Sequence, residues 1–181
     1  MTPLYLQRIA LRQFRSFATL DVEIPAMPGV LIVHGSNGLG KSSLFDALEW
    51  TLSDRIDHFR DATGVNKPGT YLCRWRDGDP GPTSATMTFS DDSIIARSLL
   101  SASSTKSQLG GNVSDVTSYL RAPTWQQSIS ELQRYLLLTH FLGQSTLSRL
   151  TYRKSTERFD ILKEAAQSTA IAAIANSLHG Q

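Results

Sequence analysis

Apolar and polar positions alternate over two stretches near the start of the chain. In YLQRIALRQF (Tyr5 to Phe14), Ile9 and Leu11 fall on one side and Arg8 and Arg12 on the other. Leu20, Val22 and Ile24 then alternate with Asp21 and Glu23. A period of two predicts a pair of half-buried strands, with Phe14-Arg15-Ser16-Phe17 as the turn between them. Val30-Leu31-Ile32-Val33 is different. Four apolar residues in succession predict a short strand buried on both faces. Leu44, Leu48 and Leu52 recur at i, i+4 and i+8 and predict a helix.

The pattern weakens after that helix. Asp54 to Pro82 is polar and turn-rich and reads as an irregular excursion. Ala85, Met87 and Phe89 alternate with Thr86 and Thr88, and Asp91-Asp92 turns the chain into Ser93-Ile94-Ile95-Ala96-Arg97, a predicted hairpin. Leu99 to Asn112 is rich in Ser and Gly and reads as a loop. Ser114 to Leu120 is a candidate short helix. Ser128-Ile129-Ser130-Glu131 is a capping box opening a second, with Ile129, Leu132 and Leu136 on one face and Gly143 at its end. Gln144 follows at once, in the loop at the helix end. From Thr156, Phe159, Leu162 and Ala166 form one stripe and Ile171, Ile174 and Leu178 another. This alanine-rich helix either leads into further chain or docks as a terminal helix.

The chain has 181 residues, 40% hydrophobic, with a net charge of +2. That length suffices for a domain with a sizeable core. The charge makes no global case for nucleic acid, so any DNA surface would be a local patch. Cys73 is the single cysteine, and no internal disulfide is possible, which fits a reducing cytoplasm. No apolar run approaches a membrane span, and Met1-Thr2-Pro3-Leu4 lacks the basic-then-apolar pattern of a signal peptide.

The chemistry concentrates between the strand at 30–33 and the helix after it. Gly35-Ser36-Asn37-Gly38-Leu39-Gly40-Lys41-Ser42 fits G-x-x-x-x-G-K-[ST], the phosphate-binding loop, in its required strand–loop–helix context. Its glycines let backbone N–H groups turn inward around a phosphate. Lys41 brings a point charge to the β- and γ-phosphates, and the Ser42 hydroxyl is suited to Mg²⁺. The helix dipole points at the same place. Phe14-Arg15-Ser16-Phe17 is either a basic turn or a site where Arg15 and Ser16 meet a nucleotide phosphate or base. Arg74-Trp75-Arg76 reads first as a loop anchor, with base stacking as its rival. Asp46 and Glu49 read as a solvated helix face.

Hydrolysis needs more than this loop: a carboxylate completing the metal's ligands and a group orienting water. After Lys41 no run of four aliphatic residues ends in Asp or Glu, and no Leu-Ser-Gly-Gly-type signature appears; Leu109-Gly110-Gly111-Asn112 is the nearest. The chain carries half of an ATPase site, and no catalytic residue is assigned within it.

The motifs present resemble the N-terminal head lobe of the SMC/SbcC/RecN superfamily of ABC-type ATPases. LQRIALRQFRSFATLDVEI is similar to the first hairpin of these heads, and LIVHGSNGLGKSSLFDALEW to their Walker A segment and following helix. THFLGQSTLSRL is similar to their Q-loop, with Gln144 as its glutamine, and KSTERFDILKEA to the segment before their coiled coil. Residues 54–127 are mostly unmatched. Gln144 follows Lys41 by 103 residues (144 − 41), an interval similar to the SbcC-like and SMC-like branch and longer than in transporter ATPases. Gln144-Ser145 departs from the Gln-Gly common in SbcC-like proteins.

The resemblance implies an α/β P-loop NTPase fold: an ABC-type head N-terminal lobe over residues 1–155, with an antiparallel β subdomain, and a helix at the root of a coiled coil over 156–181. It implies ATP and Mg²⁺ as cofactors. Gly35, Ser36, Asn37, Gly38, Leu39, Gly40, Lys41, Ser42 and Ser43 would surround the phosphates, Ser42 and Gln144 would hold Mg²⁺, and Arg15 and Ser16 would contact the nucleotide. The implied partners are a C-terminal lobe of the same protein, a second copy of the head, double-stranded DNA and, in some branches, a nuclease subunit. The implied setting is DNA repair, DNA-end processing or defence against foreign DNA in the cytoplasm, with hydrolysis only once the second lobe is present. Two rival readings are a RecF-like or nuclease-associated ATPase without a long coiled coil and a non-hydrolysing nucleotide-gated scaffold.

Overall fold

The structure, a computed structural model, describes residues 4–59 and 67–112 together with Leu136 and Phe141. The chain divides into two compact units, Met1–Ala122 and Pro123–Gln181. In the second, Leu136 and Phe141 are both buried, and the Phe141 N–H donates to the Leu136 carbonyl at 2.9 Å. The expected helices at 114–120, after 128 and after 156, the expected boundary at 155/156 and Gln144 lie outside the described residues.

The first unit is built on an antiparallel sheet of five strands: β1 (Leu6–Phe14), β2 (Phe17–Glu23), β3 (Thr83–Phe89), β4 (Ile94–Leu99) and β5 (Gln108–Gly111), in spatial order β2-β1-β3-β4-β5. The predicted alternation sets the register. Ile9 stands opposite Val22 on one side and Met87 on the other, and Leu11 opposite Leu20 and Ala85. One face of the sheet is therefore apolar. Helix α1 (Lys41–Ser53) packs across it against β1, β3 and β4. Trp50 is its anchor: it is 1% exposed and stacks on Phe14 with ring centroids 5.6 Å apart. Ile9, Leu11, Leu44, Ala47, Ile56, Leu72 and Leu99 complete the core around that pair. Together sheet and helix form the α/β arrangement expected.

The excursion from 54 to 82 holds a one-turn 3₁₀ segment, Asp57–Phe59, and a short helix α2, Gly69–Leu72. It returns to the sheet through a bridge between Cys73 and Phe14. Gly69 is needed here because a Cβ would lie 2.1 Å from the Ala102 carbonyl oxygen. The expected loop at 99–112 is corrected in part. Gln108–Gly111 pairs with β4 as β5, its four residues exposed, so no alternation in the sequence marked it.

Two further expectations are overturned. Val30 to Val33 forms no regular element and pairs with no strand among the described residues, and its exposures of 88%, 53%, 77% and 46% leave both faces open. A strand buried on both faces requires neighbours at its edges and cover on each side, and the described residues supply neither. Asp46 and Glu49 do not form a solvated face: both are buried. The helix is enclosed on more sides than its leucine stripe indicates, because the β1–β2 turn and the Asp57–Phe59 segment close over it. Among the described residues, no helix is long and apolar enough to cross a membrane.

Candidate functional site

The loop at 35–40 is shaped by its glycines. Gly38 and Gly40 take φ of +85° and +95°, left-handed values that side chains disfavour. Gly40 has a second constraint, since a Cβ there would sit 2.7 Å from the Phe17 ring. Phe17 opens β2, so the hairpin β1–β2 forms the platform on which the loop turns into α1. Gly40 caps the helix with no side-chain hydrogen bond, and no acid lies in the first turn. The first N–H groups of α1 therefore lack the usual anionic or hydroxyl cap. That end of the helix suits a phosphate.

Lys41 closes over the loop. Its ammonium donates to the Gly35 carbonyl at 2.7 Å and the Ser36 carbonyl at 2.9 Å. Two of its three donors are thus used in place, leaving one for a ligand. Ser36, Asn37 and Leu39 are exposed around the cradle, and so is Ser42 in the first turn of α1. Ser43 is buried behind it. The cradle, the uncapped helix end and the exposed Ser42 hydroxyl fit a phosphate with a bound Mg²⁺.

The β1–β2 turn reaches this helix end. Ser16 Oγ lies 3.0 Å from Ser43 Oγ, and Arg15 Nε donates to Ser43 Oγ at 3.4 Å. Arg15 has φ of +47°, a rare conformation for a side chain of this size. Its surroundings hold it there. Its own N–H donates to the Leu72 carbonyl at 2.9 Å, and Arg74 Nη1 donates to the Ser16 carbonyl at 2.5 Å. Arg74 also bonds Asp77, holding that carboxyl below its ordinary value, while Trp75 Nε1 donates to Gly69. Arg74 and Trp75 thus anchor the loop; these bonds give no support to a base-stacking role.

Asp46, expected on a solvated face, instead meets Arg15, and His58, which no sequence motif marked, meets Asp46. Asp46 Oδ2 is 3.3 Å from Arg15 Nη1, and His58 Nδ1 is 3.6 Å from Asp46 Oδ1. Phe59, stacked on Tyr71, offers its face to the Arg15 guanidinium 4.8 Å away. Burial raises the Asp46 carboxyl above its ordinary value, with Arg15 and then His58 pulling the other way. The available signal was spacing: Asp46 lies three residues after Ser43, on the same helix face.

At the far end of α1, Arg97 serves the helix terminus. Its Nε donates to the Thr51 carbonyl at 3.0 Å, and Asp54 lies 3.4 Å from Nη1. Burial lowers its pKa and Asp54 partly restores it.

Beside the loop lies a cleft of about 1000 Å³, lined by Ile9, Ile24, Leu31, Val33, Leu44 and Leu48 among others, with Lys41 at its edge. Residues of the 30–33 segment and of α1 both line it. Its walls are apolar, so it suits packing rather than phosphate.

A glycine-shaped loop feeding a helix that lies across an antiparallel sheet is the arrangement of a P-loop fold. Residues 5–66 match the RecF/RecN/SMC N terminal domain. Over that stretch the chain is similar to the N-terminal region of RecF, RecN and SMC proteins. It is 42% identical over 45 residues to the DNA replication and repair protein RecF of Paenarthrobacter aurescens (strain TC1), and 46% identical over 48 residues to the chromosome partition protein Smc of Synechocystis sp. (strain ATCC 27184 / PCC 6803 / Kazusa). These matches cover 25% and 26% of this chain, and only 11% of that RecF and 4% of that Smc. In fold it is similar to an SMC ATPase described for ATP-driven dimerization and DNA stimulated activation, with a TM-score of 0.62 at 15% identity over 88% of this chain and 98% of that one. An Smc head domain derived from Pyrococcus furiosus, bound to the C-terminal domain of ScpA, gives 0.56 at 17% identity over 96% of this chain and 48% of that one.

Proposed function

We propose that this chain is the ATP-binding N-terminal lobe of an SMC- or SbcC-like head that dimerises on ATP and acts on DNA. The observation carrying the reading is the cradle itself: Gly38 and Gly40 in left-handed conformations, Lys41 folded over the loop, and an uncapped helix end beyond. Gly35 to Ser43 bind and neutralise the phosphates. Ser42 would hold Mg²⁺, which when bound offsets phosphate charge; Gln144, which the resemblance assigns to the same ion, lies outside the described residues. Arg15 and Ser16 contact the nucleotide from the hairpin turn. In hydrolysis, water adds to the γ-phosphorus and ADP leaves. The group that orients this water comes from a C-terminal lobe, which also covers the open faces of residues 30–33 and fills the cleft beside them. Exposed apolar surface of this kind marks an interaction site. A second copy of the head, linear double-stranded DNA and, in some relatives, a nuclease subunit are the further partners, in a cytoplasmic setting. Residues 1–155 form the lobe and 156–181 the root of a coiled coil. Whether the DNA belongs to repair, end processing or defence turns on those partners.

A second reading, a RecF-like ATPase without a long coiled coil, fits the 42% identity to RecF over 45 residues. The test is ATP turnover by the complete protein with and without linear double-stranded DNA, beside Lys41→Ala. Turnover that DNA stimulates and Lys41→Ala abolishes is expected. ATP binding without turnover under any DNA condition would overturn the ATPase reading in favour of a nucleotide-gated scaffold.

A further inference from the structure

The Asp46 side chain is 3% exposed, on a helix whose neighbours Leu44, Ala47 and Trp50 are core residues. A carboxylate placed there is costly to desolvate. A simple tie between helix and turn would show a hydrogen-bonded, two-pronged Arg–carboxylate pair. The pair seen is different. Arg15 Nη1 and Asp46 Oδ2 are 3.3 Å apart, but neither atom makes a hydrogen bond among the described residues. The guanidinium is instead held on several sides: Asp46 at Nη1, Ser43 Oγ at Nε, the Phe59 ring against its face. Its side chain keeps 22% exposure although Nη1 is enclosed. An arginine has five donors in a fixed fork. Fixing one edge aims the other.

We propose that Asp46 is a positioning residue for nucleotide binding: its buried carboxylate turns the Arg15 guanidinium so that its other edge meets the nucleotide phosphates beside Ser42 and Ser43. His58, 3.6 Å from the other carboxylate oxygen, steadies Asp46 from the opposite side. This rests on the reading that Arg15 contacts the nucleotide. Asp46 acts only through Arg15, so the two residues are coupled.

The test is ATP titration of the complete protein by calorimetry, with thermal melting of each variant. The set is wild type, Arg15→Ala, Asp46→Asn, the double variant and Lys41→Ala. Arg15→Ala is expected to weaken ATP binding about tenfold and Asp46→Asn about threefold to tenfold, with the melting temperature of Asp46→Asn not lowered. The double variant is expected to bind no more weakly than Arg15→Ala alone. Losses that multiply in the double variant, or an Asp46→Asn protein binding ATP like wild type, would overturn the inference. Arg15→Ala binding like wild type while Lys41→Ala fails to bind would overturn it and leave the phosphate-loop reading intact. Lys41→Ala binding ATP like wild type would remove the reading on which it rests. Should Asp46→Asn not fold, Arg15→Lys serves: a point charge cannot reach carboxylate and phosphate together, so a loss of at least about threefold is expected, and wild-type affinity would count against the proposal.

Discussion

Asp46 shows how one residue is asked to serve two ends. Burial raises its carboxyl above the ordinary value of 3.8, and the pull of Arg15 and His58 does not cancel that. A carboxyl raised on folding favours the folded state most when protonated. Its contribution is complete below the unfolded value and is lost as pH rises through the folded one. Asp46→Asn, which has no charge to bury, is therefore expected to gain stability over wild type as pH climbs above the ordinary carboxylate range. Thermal melting at about pH 3 and about pH 7 checks this: the two proteins should melt together at the lower pH, with the variant a few degrees higher at the upper. A variant that melts lower at neutral pH would show that the charge stabilises the fold. At this scale the loop glycines, Lys41 and Ser42 were legible because the phosphate loop is a local constraint on backbone and charge. Asp46 was not, because its partners Arg15 and His58 come from other elements. A polar residue between Phe45 and Ala47 reads as solvent-facing until the hairpin turn closes over it.

The strands β1 to β4 and helix α1 were legible as elements, since each has one face in the core and the pattern records that division. β5 was not, because Gln108-Leu109-Gly110-Gly111 is exposed throughout and its pairing with β4 is made by backbone alone. Val30 to Val33 failed in the opposite direction. Its apolar run predicts burial, and the described residues leave it open on both faces. The proposed C-terminal lobe would cover this run and the cleft beside it. Hydrogen exchange on the complete protein is expected to find the amides of Leu31 to Val33 protected, as for a central strand. Exchange at the rate of an open loop would mean that no lobe covers them.

At the scale of the molecule, the first unit joins a packed core to an exposed phosphate-loop cradle. Sheet and helix fix the cradle, the hairpin turn brings Arg15 and Ser16 to it, and the fold is that of an SMC head lobe. The identity to RecF and Smc proteins gathers over short stretches, 45 and 48 residues long. The nucleotide is the shared element of every reading, and the partner lobe and DNA build on it. ATP affinity of the complete protein, wild type against Lys41→Ala, therefore tests the account most directly. Removing the ammonium that spans Gly35 and Ser36 is expected to weaken ATP binding by roughly a hundredfold or more, with little change in melting temperature without nucleotide, since Lys41 lies outside the core. Equal affinity in the two proteins would mean that ATP does not sit in this loop and would contradict the proposed function.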